Sequence, residues 1–239
     1  MIQLPYPWLL VPTICQYAAD SLCRWVLSSG MSVNEGKTKE MMVYFGTKHD
    51  PDDIERISVN GKVIERVRDF KLLGVYISSD LSWDTHLEYI LKKVSKRMYC
   101  IFCLIRIGAD VSEIVSVYCS LIRSILEYAC PVWHPGLTKG HHKNIERVQK
   151  RLIKMLYPSL SYANGLSSCG LERLYDRRER LTKEMFVEMK SPHHVLHGLL
   201  PARNQSTYNL RNSYEFQIPI AKATRYGRSI IPFCIGKRY

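Results

Sequence analysis

The sequence predicts an α+β protein that is mainly helical: a small antiparallel sheet early in the chain, a helical bundle after it and an irregular tail. Three observations carry this expectation. Apolar residues recur at helical spacing over long stretches beyond residue 83. Short runs of β-branched and aromatic residues bounded by turn signals are confined to residues 39–77. Past residue 190, Pro, His and Asn interrupt every apolar patch. The chain is thus read as a poorly defined segment (1–19), a small sheet unit (20–80), a helical region (81–190) and a basic extended tail (191–239).

Met1 to Cys15 is apolar, lacks a basic leader and contains Pro5, Pro7 and Pro12, which suits a partly ordered beginning. Asp20 to Trp25 reads as a short helix. Lys39 to Phe45 alternates as a strand does, with Met41, Val43 and Phe45 on one face, and Asp50-Pro-Asp-Asp53 is a loop. Ile57 to Ile64 reads as a hairpin around Asn60-Gly61, because both central residues of its tight turn need positive φ. Phe70 to Ile77 reads as one short buried strand, with Gly74 marking a kink or a close backbone approach. From Leu87, apolar residues at Ile90, Leu91, Val94, Met98, Ile101 and Ile105 predict a helix that stops at Gly108. Lys92, Lys93 and Lys96 fall on its other face. Asp110 to Glu113 resembles a capping box for a helix carrying Ile114, Tyr118, Leu121, Ile122 and Ile125, broken by Pro131 to Gly136. Thr138 caps a third helix through Leu156, and Gly170 to Met189 reads as a fourth.

The net charge is +12, and all of the excess lies beyond residue 138. A localised positive field suits a polyanion, nucleic acid first and an anionic membrane second. The chain has no run of eighteen apolar residues, so no membrane span is expected. Eight scattered cysteines fit a reducing, intracellular compartment. Cys100 and Cys103 form a lone CxxC inside a helix and read as small apolar groups lining or flanking the core.

The third helix is the most informative. Lys143, Arg147, Lys150 and Lys154 follow i, i+4, i+7, i+11, and Ile145, Val148, Leu152, Met155 and Leu156 lie opposite. Only Glu146 is acidic between Lys139 and Pro158. A fixed row of cations suits a phosphate backbone, whose condensed counterions it releases.

Longer strings carry a resemblance. Trp25, Asn34-Glu-Gly-Lys37-Thr38-Lys-Glu-Met41, Phe70-Lys-Leu-Leu-Gly-Val75, Leu81-Ser-Trp83 with His86, Tyr118 with Arg123 to Tyr128 and Trp133, Ile145 to Arg151, and Leu171, Leu174, Arg177 and Arg178 stand in the same order as in one known family. With Leu210-Arg-Asn212 and Arg225 to Cys234, the likeness spans about residues 16 to 239. It resembles the C-terminal part of a non-LTR (LINE-type) retrotransposon reverse transcriptase, an RNA-directed DNA polymerase.

The resemblance implies that Asn34 to Phe45 is the last palm motif, that Phe70 to Ile77 belongs to a primer-grip hairpin, and that the helices after Trp83 are thumb-like. It also implies a two-Mg²⁺ mechanism, with ions held by an early palm carboxylate and a Tyr/Phe-x-Asp-Asp pair. No such turn occurs in the sequence. Tyr17-Ala-Ala-Asp20 stands too close to Trp25 and Lys37 to be a damaged copy, and Asp52-Asp53 reads as a solvated loop. No metal or other cofactor is therefore expected unless the palm is supplied by other residues. Lys37 inherits, by resemblance, the place of a vestigial proton donor to pyrophosphate; as a lone lysine in a Gly-rich turn it reads as surface. His193-His194-x-x-His197 lacks neighbouring ligands for zinc.

The expectation is a truncated reverse-transcriptase fragment, inactive alone. It would contact RNA, DNA or RNA–DNA hybrid through phosphates at Lys92, Lys93, Lys96, Lys143, Arg147, Lys150 and Lys154. A fragment of a longer active enzyme and a domesticated protein-interaction scaffold stay open as alternatives.

Overall fold

The computed structural model describes residues 7–43, 54–204, 215–217 and 227–236, with side chains from Thr13 onward in the first helix. The protein is mostly helical, with small two-stranded sheets, and divides into two compact units, Met1–Thr85 and His86–Tyr239.

In the first unit, α1 (Pro7–Ser28) is far longer than the short helix expected from Asp20 to Trp25. The side-chain amide of Gln16 ties α1 to the sheet region by imitating a peptide group. Its Nε2 donates to the Ser58 carbonyl and its Oε1 accepts from the Ser58 N–H, both at 2.8 Å.

The expected single sheet is instead three separate pairs. Strand β1 (Lys39–Glu40) runs parallel to β4 (Glu65–Arg66), and Arg66 grips Glu40 at 3.1 Å. This replaces the longer strand expected to reach Phe45: residues 41–43 form no strand, and Phe45 and the Asp50–Asp53 loop lie outside the described residues. The Asn60-Gly61 hairpin forms as the turn chemistry requires, between β2 (Ser58–Val59) and β3 (Lys62–Val63), with φ of 51° and 75° at the two turn residues. The one buried strand expected at Phe70 to Ile77 is a second hairpin, β5 (Asp69–Leu72) against β6 (Val75–Ser78). Leu73 and Gly74 both take positive φ, 47° and 87°, so Gly74 turns the chain back rather than kinking it. As a result Leu72 and Leu73 are exposed while Val75 is buried.

In the second unit, α2 (Asp84–Arg106) buries His86, Leu87, Ile90, Val94, Met98 and Ile101, close to the expected stripe. Gly108 ends the region at φ 76°. Of the two cysteines expected to line or flank the core, Cys100 is exposed and Cys103 half-buried, so neither lies within the core itself. Their positions fall beside Tyr99 and Phe102, on the side away from Val94 and Met98.

Next, α3 (Val111–Tyr118), a π-helical turn at Cys119–Arg123 and α4 (Ser124–Glu127) form one rod. Asp110 stands at the cap position with extended backbone, but its side chain makes no capping bond, contrary to the expected box. The break comes at Ala129, with φ of 51°, before Pro131 rather than at it. Pro131 sits in the first turn of α5 (Cys130–Trp133), a position prolines tolerate. Among the described residues, Val111–Gly136 is the one stretch long and apolar enough by composition to cross a membrane. Its buried residues Ile114, Tyr118, Ile122, Leu126, Cys130 and Trp133 instead form a stripe turned into this unit.

Helix α6 (Lys139–Leu156) starts at Thr138 as expected. The Thr138 hydroxyl accepts from the His141 N–H at 3.2 Å and the His141 ring answers the Thr138 N–H at 3.4 Å. Helix α7 (Tyr162–Ser168) was not expected from the sequence; Ser161 caps it at 3.3 Å. Helix α8 (Leu174–Met189) follows. The tail is not uniformly extended and weakly packed. Phe216 and α9 (Ile230–Gly236) form a buried cluster with Phe186 of α8, because Phe216, Cys234 and Ile235 supply the apolar groups that face covers.

Candidate nucleic-acid interface

The outer face of α6 is set by what its inner face must satisfy. Ile145, Leu152 and Ile153 are buried as apolar groups. Gln149 is fully buried and completely used: it accepts from the Tyr118 hydroxyl at 2.8 Å and donates to the Glu172 carbonyl at 2.9 Å and to Tyr162 Oη at 3.2 Å. Glu146, the single acid of the helix, is also turned inward. It accepts from the Tyr162 hydroxyl, from the Leu174 N–H at 3.3 Å and from the Tyr175 N–H at 3.2 Å. These two N–H groups open α8, so Glu146 caps a neighbouring helix where the helix dipole favours negative charge. Burial, reinforced by the Glu146 carboxylate, keeps the Tyr162 phenol protonated far above the usual tyrosine range.

With Glu146 withdrawn, the exposed side of α6 carries only positive charge. Lys143, Arg147, Lys150 and Lys154 are all exposed, as the spacing predicts, and the fold brings them to one face. Arg151 joins them; its i+4 spacing from Arg147 was the signal that could have placed it there. Among the described residues none of these five has a carboxylate partner. Lys150 lies 5.3 Å from the Tyr162 ring centre and Lys154 donates to the Pro158 carbonyl at 2.6 Å, contacts that leave both charges unneutralised.

The arginines of α8 behave differently. Arg177 bonds Glu127 at 2.5 Å and Glu172 at 3.3 Å, and Arg180 bonds Glu172 at 2.7 Å and Glu184 at 2.9 Å. Those charges are spent inside the protein. The basic excess of the sequence is therefore offered outward mainly where α6 presents it, among the described helices.

Lys92, Lys93 and Lys96 are exposed on α2, with Lys93 6.0 Å from the Tyr89 ring centre. Lys37 lies in the other unit, exposed in a turn held by Asn34, whose Oδ1 accepts the Lys37 N–H at 3.0 Å. Asp20 is on α1, hydrogen-bonded by Gln16 at 2.8 Å, and Asp52-Asp53 lies outside the described residues. The tail histidines are engaged locally: His194 Nδ1 accepts from the Leu196 N–H at 3.2 Å, and His197 Nδ1 stands 3.1 Å from the Met189 carbonyl.

Comparison with protein-family models, curated proteins and solved structures returned no match to this chain.

Proposed function

We propose that this protein binds nucleic acid through the phosphate backbone, with the outer face of α6 as the main contact and Lys92, Lys93 and Lys96 of α2 adding to it. The observation that carries this reading is the inward turn of Glu146, which leaves Lys143, Arg147, Lys150, Arg151 and Lys154 as an exposed row without carboxylate partners among the described residues. A row of cations engages phosphates first, so the contact is expected to be largely sequence-tolerant and salt-sensitive. The resemblance in the sequence supports a polymerase-derived origin: a thumb-like helical region of a non-LTR reverse transcriptase, gripping RNA–DNA hybrid. On that reading the chain by itself performs no copying chemistry, since the paired carboxylates that would hold two Mg²⁺ ions are not found in its sequence.

The test is binding to a labelled RNA–DNA hybrid as salt is raised. Affinity falls as a power of salt concentration, and each phosphate contact adds about one to the slope. Reversing Lys143, Arg147, Lys150 and Lys154 to Glu together should lower the slope by roughly four and abolish measurable binding near physiological salt. Binding that survives the reversal, or does not respond to salt, overturns the proposal.

A second reading, a protein-interaction scaffold, has one observation in its favour. Helix α1 exposes Ile14, Tyr17, Leu22, Trp25 and Leu27, each more than half accessible.

A further inference from the structure

The outer face of α2 differs in chemistry from that of α6. Its core side is taken by Ile90, Val94, Met98 and Ile101. On the opposite side, Lys92, Lys96, Tyr99 and Arg106 follow i, i+4, i+7 and i+14, which places all four within one face of the helix. Tyr99 is 69% exposed and Phe102, at the edge of the same face, 45%. Their ring centres are 6.5 Å apart with planes inclined by 31°. The Arg106 guanidinium lies 5.7 Å from the Phe102 ring centre. The result is a pair of aromatic rings flanked on both sides along the helix by cations, with lysines before them and an arginine after.

An aromatic pair left in water is unfavourable, and a solvated helix face does not need one. Flanking cations exclude a basic partner and suit a polyanion. A duplex offers α2 phosphates and groove edges but no free base faces, because these are stacked inside. A single strand offers phosphates and free base faces together, and stacking on aromatic rings within a basic track is how unpaired bases are held without sequence preference. The Tyr99 phenol is neutral at physiological pH, and the neighbouring Cys103 side chain raises its pKa further, so it brings no negative charge against a phosphate.

We infer that the α2 face formed by Lys92, Lys96, Tyr99, Phe102 and Arg106 is a stacking site for single-stranded nucleic acid, distinct from the phosphate-reading row on α6. The inference deepens the proposed function and rests on that reading of the protein as a nucleic-acid binder. The rings take unpaired bases, and the cations on either side follow the connecting phosphates.

The experiment uses the full chain with two labelled probes, a twenty-nucleotide oligo-U and an RNA–DNA hybrid of the same length. Replacing Tyr99 and Phe102 together by Ala should weaken oligo-U binding by about ten-fold or more and leave hybrid binding within about two-fold. Tyr99→Phe keeps the ring and should bind oligo-U as the parent does. Photocrosslinking of 4-thiouridine in the oligo should map to Tyr99 or Phe102. Unchanged oligo-U binding in the double variant, or an equal loss on both probes, overturns the stacking site. So does a self-association that the double variant abolishes, which would assign the rings to a second copy. If the α6 reversal abolishes hybrid binding while the double variant changes nothing, the stacking site fails and the α6 reading stands. If the hybrid still binds after the reversal, α6 fails, and the stacking site is judged by oligo-U alone.

Discussion

Arg178 has no exposed surface, and among the described residues none of its three nitrogens has a hydrogen-bond partner. Its guanidinium lies 5.9 Å from the Trp133 ring centre, and burial pulls its pKa down against the opposing pull of Glu146 and other negative groups. Removing a strongly solvated cation from water costs several kcal/mol, and one ring face with distant carboxylates returns only part of it. A methionine fills similar volume without that cost. Arg178→Met is therefore expected to raise the urea unfolding free energy by about 1–4 kcal/mol. A loss of stability would show that the guanidinium has compensation that its geometry does not reveal. His86 is the complementary case. It is buried against Trp133 at 5.6 Å, and burial lowers its pKa to about 4. Below about pH 6.5 the unfolded chain takes up a proton that the folded chain refuses, so the folded state is destabilised as the pH drops. The His86 contribution should be whole above neutral pH, decline between 6.5 and 4, and level off below 4. The total is of order 3 kcal/mol. His86→Leu should flatten that part of a plot of urea midpoint against pH.

Among the elements, α6 and α7 meet most closely at Gly165. A Cβ added there would lie 2.3 Å from Ile153 Cγ2. In a helix Ala is ordinarily better than Gly by about 1 kcal/mol, but an overlap of this size forces a shift worth about 1–3 kcal/mol. The clash wins, and Gly165→Ala should destabilise. In an Ile153→Ala background the obstructing methyl is gone, so the same change should become neutral or favourable; the double-mutant cycle measures the coupling directly. This glycine also shows why α7 was hard to read. Asn164-Gly165 looks like a turn in sequence, whereas the glycine is there to let two helices approach. The same limit applied at Leu73-Gly74. Phe70 to Ile77 has the composition of one strand, and only the positive φ of a leucine, which sequence patterns do not anticipate, makes it a hairpin. By contrast, α2 and α6 were legible nearly to their ends. Both carry long periodic apolar stripes, and Gly108 and Thr138 punctuate them in the ordinary way.

For the molecule as a whole, the legible part was the distribution of charge and the hidden part was its pairing. The sequence places a cationic row on one face of α6, and the structure has it there. Nothing in the spacing of Arg177 and Arg180 shows that Glu127, fifty positions before Arg177, and Glu172 would neutralise them. Nor does local pattern show that residues after 200 would return to cover Phe186. Phe216 and Cys234 are short patches whose partner is visible only once the chain has folded back. Pairing across such separations is a property of topology, and periodicity reports only neighbours.

The hook formed by Glu146 has a mechanical consequence. Because this carboxylate is fastened to the first two amides of α8 and to the Tyr162 hydroxyl of α7, α6 cannot roll about its own axis without breaking three bonds at once. A rod that cannot roll keeps its cations at a constant bearing, whether or not anything is bound. A strand arriving at that side meets an orientation already chosen, and little freedom is left to be lost on contact.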